Sequence, residues 1–200
     1  MDDPALGPAD RHGSRPHIDA RHAAARPTRI LGVDPGLNIT GYGVLDFTPA
    51  GPRLIEAGVI RGRSRGSLTR RLVEIHDGLA EAIAALRPNA MALEQLYSHY
   101  SRPKTAILMG HARGVICLAA TKADVPVTHY AATQIKRILT GNGRAPKAQM
   151  QRAIQRELGL ATAPEPADVA DALAIALCHY HLAGKSDLTQ TTRYHRTRHP

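Results

Sequence analysis

The chain has 200 residues, 43% hydrophobic and 22% charged, with two cysteines and a formal charge of +9. This composition excludes a wholly disordered chain and suits one domain with a sizeable core. There is no apolar run of membrane-spanning length, signal-peptide core, CxxC pair or Cys/His zinc spacing, so a reduced, cytoplasmic protein is expected.

The charge is unevenly placed. Residues 1–28 hold four arginines and four acids, whereas residues 29–184 hold 18 basic and 12 acidic side chains, and 185–200 hold four basic and one acidic. A basic body of this kind fits a polyanionic partner such as nucleic acid.

Residues 1–28, rich in Pro, Ala, Arg and His, show no sustained apolar period and are expected to be a disordered extension or an over-long start. Three strand signals follow, RILGVD (29–34), TGYGVLDF (40–47) and RLIEAGVIR (53–61), whose short connections predict an antiparallel meander. Ser67 opens a helix in which Leu68, Leu72, Ile75, Leu79, Ile83 and Leu86 recur at steps of three and four, until Pro88 ends it. AMALEQ (90–95) reads as a short buried strand, 103–122 as a second helix and VPVTHY (125–130) as a fifth strand. Helices over about 132–140 and 147–158 flank TGNGRAPK, a last helix covers about 166–182, and the polar end from 183 to 200 reads as a flexible basic tail. The order predicts an α/β domain over 29–182: a mixed five-stranded sheet, meander plus parallel strands, flanked by helices.

Four acids stand where folding alone does not require them. Asp34 ends the first strand in a Pro-Gly turn, Glu94 lies near the end of the fourth, and Asp168 and Asp171 share one face of the last helix at i, i+3. Each has an ordinary explanation: a turn former, an arginine partner, a helix-dipole acid or plain exposure. Together they ask for more, because first and fourth strands in such a sheet are often neighbours. Two carboxylates ~5 Å apart repel by roughly 3 kcal/mol at an effective dielectric near 20. A cluster of them must take up protons or hold a cation, and oxygen-only ligands suit Mg²⁺ or Mn²⁺. Such a site in a basic protein points to phosphodiester hydrolysis in nucleic acid.

The motifs ILGVDPGLNITGYGV, ALEQLY, HARGV, YAATQIKRILTGNGRAPKAQMQ and PADVADALAIALCH, in this order over about 29–182, resemble the RuvC family of Holliday-junction resolvases. The resemblance implies a ribonuclease-H-like fold and a homodimer making paired symmetric nicks in four-way DNA junctions during recombination and repair. It also implies the RuvAB branch-migration complex as partner. It places the catalytic, metal-holding carboxylates on Asp34, Glu94, Asp168 and Asp171, with Mg²⁺, two per site, as cofactor and Mn²⁺ as substitute. Water attacking in line would leave 5′-phosphate ends. The family's basic junction-contacting residues fall on Lys136 and Lys147, which bracket a Gly-bearing loop that also carries Arg144. Tyr97 stands where the family usually has Phe, in a polar segment suited to stacking an exposed base.

Gly110 and Gly114, at i, i+4 on the second helix, permit close approach of another helix, which the resemblance makes the dimer partner. His111 reads as a packing or polar residue, and His179, two turns beyond Asp171, is not assigned to the metal. Two rival readings stand beside this one, the first of them not excluded by DPGLNITGYG alone. An actin-like ATPase or sugar kinase would need a second such domain and a further nucleotide-binding glycine motif. A non-catalytic junction binder would need a replaced metal ligand, and none of the four is replaced.

Overall fold

The computed structural model describes residues 28–62, 67–95 and 103–195, the last twelve of these by backbone alone. Its elements are β1 (Thr28–Asp34), β2 (Ile39–Thr48), β3 (Gly51–Arg61), α1 (Leu68–Leu86), β4 (Ala90–Glu94), α2 (Pro103–Lys122), β5 (Val127–Tyr130), α3 (Ala132–Thr140), α4 (Lys147–Glu157) and α5 (Ala167–His195). The five strands form one sheet in the order β3-β2-β1-β4-β5. β1–β2 and β2–β3 are antiparallel, while β1–β4 and β4–β5 are parallel. The predicted mixed sheet is therefore present, with β1 and β4 side by side.

Alternation along the central strands divides the core in two. Ile30, Leu45 and Ala92 pack on one face with Leu173, Ile175 and Leu177 of α5. Leu31, Val33, Val44, Met91 and Leu93 pack on the other with Ile75, Leu79 and Ile83 of α1 and Ala112 and Ile116 of α2. Because both faces are covered, the central strands read as nearly continuous apolar runs.

α1 begins as the sequence predicts, with Ser67 Oγ accepting from the Arg70 amide at 3.4 Å. It ends at Arg87, which adopts the left-handed conformation and donates to the Ile83 carbonyl just before Pro88. The last helix departs from expectation, since its backbone continues to His195 rather than stopping near 182. The segment that reads as a tail has no proline before Pro200, and its Ala, Lys, Leu and Gln residues sustain a helix. Polarity alone does not end one. Among the described residues, no helix is long and apolar enough to cross a membrane.

Candidate active site

Strand pairing accounts for the first half of the site. Val33 pairs with Leu93 across the parallel β1–β4 ladder, so the next residues, Asp34 and Glu94, leave the sheet side by side. After Asp34 the chain turns sharply. Gly36 has no room for a side chain, since a Cβ there would stand 1.8 Å from the Ile39 carbonyl oxygen. The Thr40 hydroxyl, fully buried, donates to the Gly36 carbonyl at 2.7 Å and closes the turn. Arg71 of α1 adds a second tie, its Nη1 donating to Asn38 Oδ1 at 2.8 Å.

Glycines account for the other half. A Cβ on Gly32 or Gly41 would come within 2.1 Å of a carbonyl oxygen of α5, that of Ala172 or Asp168 respectively. On Gly43 it would meet Leu173 Cδ2 at 2.6 Å. This bare strip on β1 and β2 lets the start of α5 lie directly on the sheet, which brings Asp168 and Asp171 to the end where Asp34 and Glu94 emerge. The TGYGV motif carries that function. Alternating glycines within a strand are the sequence signal for such a close backbone approach, and the reading of carboxylates alone overlooks it.

The four predicted acids thus share one electrostatic environment. The Asp34 carboxyl is pushed up to about 7, first by burial and then by the charges of Glu94, Asp171 and Asp168, with Lys147 opposing. Burial also raises Glu94, helped by Asp171 and opposed by Lys136 and Arg113. Asp171 is raised by burial and by Asp168, against Lys147 and Lys136. Glu94, Asp171, Lys136 and Lys147 line one cleft of about 290 Å³, with an apolar wall that includes Ile135, Met150 and Ile175. Arg144, by contrast, is exposed on the 141–146 loop and does not line that cleft. Tyr97 lies outside the described residues.

His179 and His111 have other partners. His179 Nδ1 bonds the Tyr130 hydroxyl at 2.9 Å, and His111 Nδ1 bonds the Ile107 carbonyl at 2.7 Å, one turn back on α2. Arg113, in the HARGV motif, was given no individual role by the sequence. Its Nη2 bonds His129 Nδ1 at 3.0 Å, and its charge moderates that of Glu94.

Among the described residues, no group of three or more Asp, Glu, His or Cys side chains already forms an ion cage. The donor set nevertheless fits a hard divalent cation. Its ligands would all be oxygens, and Asp34, Glu94 and Asp171 are raised first by burial and then by their neighbours' charge, both of which a bound cation would offset.

Residues 30–179 match the family described as crossover junction endodeoxyribonuclease RuvC. The chain belongs to the RuvC family. A crossover junction endodeoxyribonuclease RuvC from Rhodopirellula baltica is 61% identical over 156 residues, covering 77% of this chain and 86% of that protein. The Thermus thermophilus RuvC structure superposes with a TM-score of 0.73 at 34% identity, over 79% of this chain and 96% of that one. The same RuvC in complex with a Holliday junction substrate gives 0.73 over 78% and 94%. The yeast mitochondrial Holliday junction resolvase Ydc2, at 13% identity and a TM-score of 0.57 over 84% of this chain and 85% of that one, shares the fold. Membership brings a metal-dependent nuclease activity with it.

Proposed function

We propose that this chain resolves four-way DNA junctions, making paired, symmetric nicks by Mg²⁺-dependent phosphodiester hydrolysis and leaving 5′-phosphate ends. The observation that carries this is the gathering of Asp34, Glu94, Asp168 and Asp171 at one end of a RuvC-family sheet, with Lys136 and Lys147 beside them. These four carboxylates would hold the metal, two ions per site, with Mn²⁺ as a substitute. Mg²⁺ bound there would supply the Lewis acidity that activates water and stabilises the leaving oxygen. The protein groups do the rest. Asp34, buried and beside the charges of Glu94, Asp171 and Asp168, is the carboxylate with most to gain from a cation. Lys136 and Lys147 draw the phosphate backbone into the cleft and keep the acids from repelling it. The apolar wall of Ile135, Met150 and Ile175 restricts water on the far side.

Paired nicks need two sites, and one face of α2 supports self-association into a homodimer. Ile107 and Leu118 are 62% and 52% exposed, and nothing lies within 4 Å of a Cβ built on Gly110 or Gly114. These four residues lie near one line along the helix, an apolar strip with two bare positions where a second helix can approach closely. Leu118→Glu is expected to shift the protein from dimer to monomer by analytical ultracentrifugation. Family membership supports RuvAB as the partner of this chain in recombination and repair.

The test is cleavage of a labelled four-way junction beside a linear duplex of the same sequence, with Mg²⁺ or with EDTA. Paired, religatable nicks in the junction alone, lost with EDTA, are expected. Equal cutting of the linear duplex would refute junction selectivity, and cutting in EDTA would refute the metal.

A further inference from the structure

The carboxylates stand at the middle of the sheet's functional end, at the tips of β1 and β4. Lys136 of α3 and Lys147 of α4 approach from one side, in the cleft that Glu94 and Asp171 also line. On the other side, β3 ends at Arg61, at the same end of the sheet, because β3 runs parallel to β1 through two antiparallel pairings. α1 starts from there. Residues 61–71, RGRSRGSLTRR, contain five arginines and no acid. Among the described residues, Arg61, Arg70 and Arg71 belong neither to the carboxylate set nor to the lining of the lysine cleft.

Of these, Arg61 and Arg70 are exposed. Arg71 is anchored: Nη1 bonds Asn38 and Nε is buried without a partner. A Cβ on Gly62 would meet Arg71 Cγ at 3.2 Å and the Leu37 carbonyl at 2.8 Å, so chain and arginine stem are closely stacked. The Gly62 amide also donates to the Asn38 carbonyl at 3.0 Å. These contacts fasten the arginine-bearing corner to the 35–38 turn that follows Asp34. β3 lies two strand spacings from β1, about 10 Å, or roughly three base-pair rises of duplex.

We propose that Arg61, Arg70 and Arg71 form a second DNA-backbone contact, on the side of the carboxylates away from Lys136 and Lys147, which holds the phosphates of a junction arm. A solvated charged face is the ordinary explanation for exposed arginines. It does not account for Arg71 and Gly62 being tied to the turn that follows Asp34, within an eleven-residue stretch that carries five arginines and no acid. The contact is electrostatic and positions the arm without reading sequence. This inference rests on the proposed junction-cutting function.

The test is the salt dependence of junction binding by the full chain, followed by fluorescence anisotropy in EDTA so that no strand is cut. Arg61→Gln/Arg70→Gln leaves the Arg71 anchor intact, and matched thermal melts check its folding. Each lost phosphate contact reduces the log–log salt slope by about 0.9, so the double variant should be shallower by about 1.8, with affinity at low salt lower by about tenfold. Lys122→Gln, at the far end of α2, should keep the wild-type slope. Equal slopes for wild type and double variant would overturn the proposal, as would the same change in Lys122→Gln. If the wild type cuts junctions and the slopes are equal, only this inference fails; a wild type that does not prefer junctions removes the function beneath it.

Discussion

The β1–β2 ladder has an aspartate at each end, and the two have opposite surroundings. At one end Arg29 pairs with Asp46, which is 2% exposed and accepts from Arg29 Nε and Nη2 at 2.7 and 2.9 Å. Arg29 also donates Nη1 to the Leu86 carbonyl, and its amide bonds Asn89 Oδ1, so the pair clasps the end of α1 and the approach to β4. The hydrogen bonds from Arg29 hold Asp46 below the usual carboxylate range. At the other end Asp34 lies opposite Gly41 and faces three more acids, and its carboxyl is pushed up to about 7. Two residues of one type in one pair of strands therefore do different work. The satisfied aspartate stabilises the fold, and the unsatisfied one is free to act on something from outside. A buried acid is informative through its partners rather than its burial.

The largest break in this contrast should come from a residue with no charge. Gly41→Ala would put a Cβ 2.1 Å from the Asp168 carbonyl and lift the start of α5 off β2. A displacement of about 1 Å in the acids proposed to hold the metal should lower the cleavage rate by roughly 10²-fold or more, measured on a synthetic junction. Next is Asp46→Ala, which strands the Arg29 guanidinium and should cost about 2–3 kcal/mol in urea unfolding. Asp34→Asn should have the opposite sign, stabilising the metal-free protein by about 1–2 kcal/mol in the same assay.

pH sharpens the comparison further. A carboxyl raised on folding contributes stability that is fully present below its unfolded value and is lost as pH rises through the folded one. Asp34 should therefore erode the stability of the metal-free protein between about pH 4 and pH 7, the folded value being about 7. Asp46, held low, contributes stability present above the unfolded aspartate value and lost as pH falls through the folded one. Urea titrations at several pH values in EDTA should show that the Asp34→Asn advantage grows over this window and is absent well below it. A constant difference across pH would contradict the account. The smallest effect is expected from Arg144→Ala. Lying outside the cleft, Arg144 should contribute a single phosphate contact, a change of about 0.9 in the salt slope of junction binding.

Much of this was legible in the sequence, for local reasons. The helix of Ile75, Leu79 and Ile83, its stop before Pro88, and the strand that delivers Asp34 into Pro-Gly are written in neighbouring residues. The adjacency of Asp34 and Glu94 required a topological rule, and the β1–β4 pairing agrees with it. Contacts between distant segments left weaker traces. Nothing near Arg29 announces Asp46, seventeen residues away, because pairing of that kind depends on register. The glycine strip beneath α5 was visible as TGYGV but acquires meaning only when the helix lies on it. The end of α5 is not legible in the polar composition, because neither that polarity nor the single Gly184 stops a helix that continues to His195.

The central claim is that Asp34 is left unsatisfied in order to hold the metal that cuts the junction. The most direct measurement is the single-turnover cleavage rate of a labelled four-way junction by Asp34→Asn and by the wild type, at saturating protein with Mg²⁺, with junction binding followed in parallel. The account predicts a loss of roughly 10³-fold or more in rate with binding retained. Comparable cutting by the two proteins would contradict it and return Asp34 to the role of a turn residue.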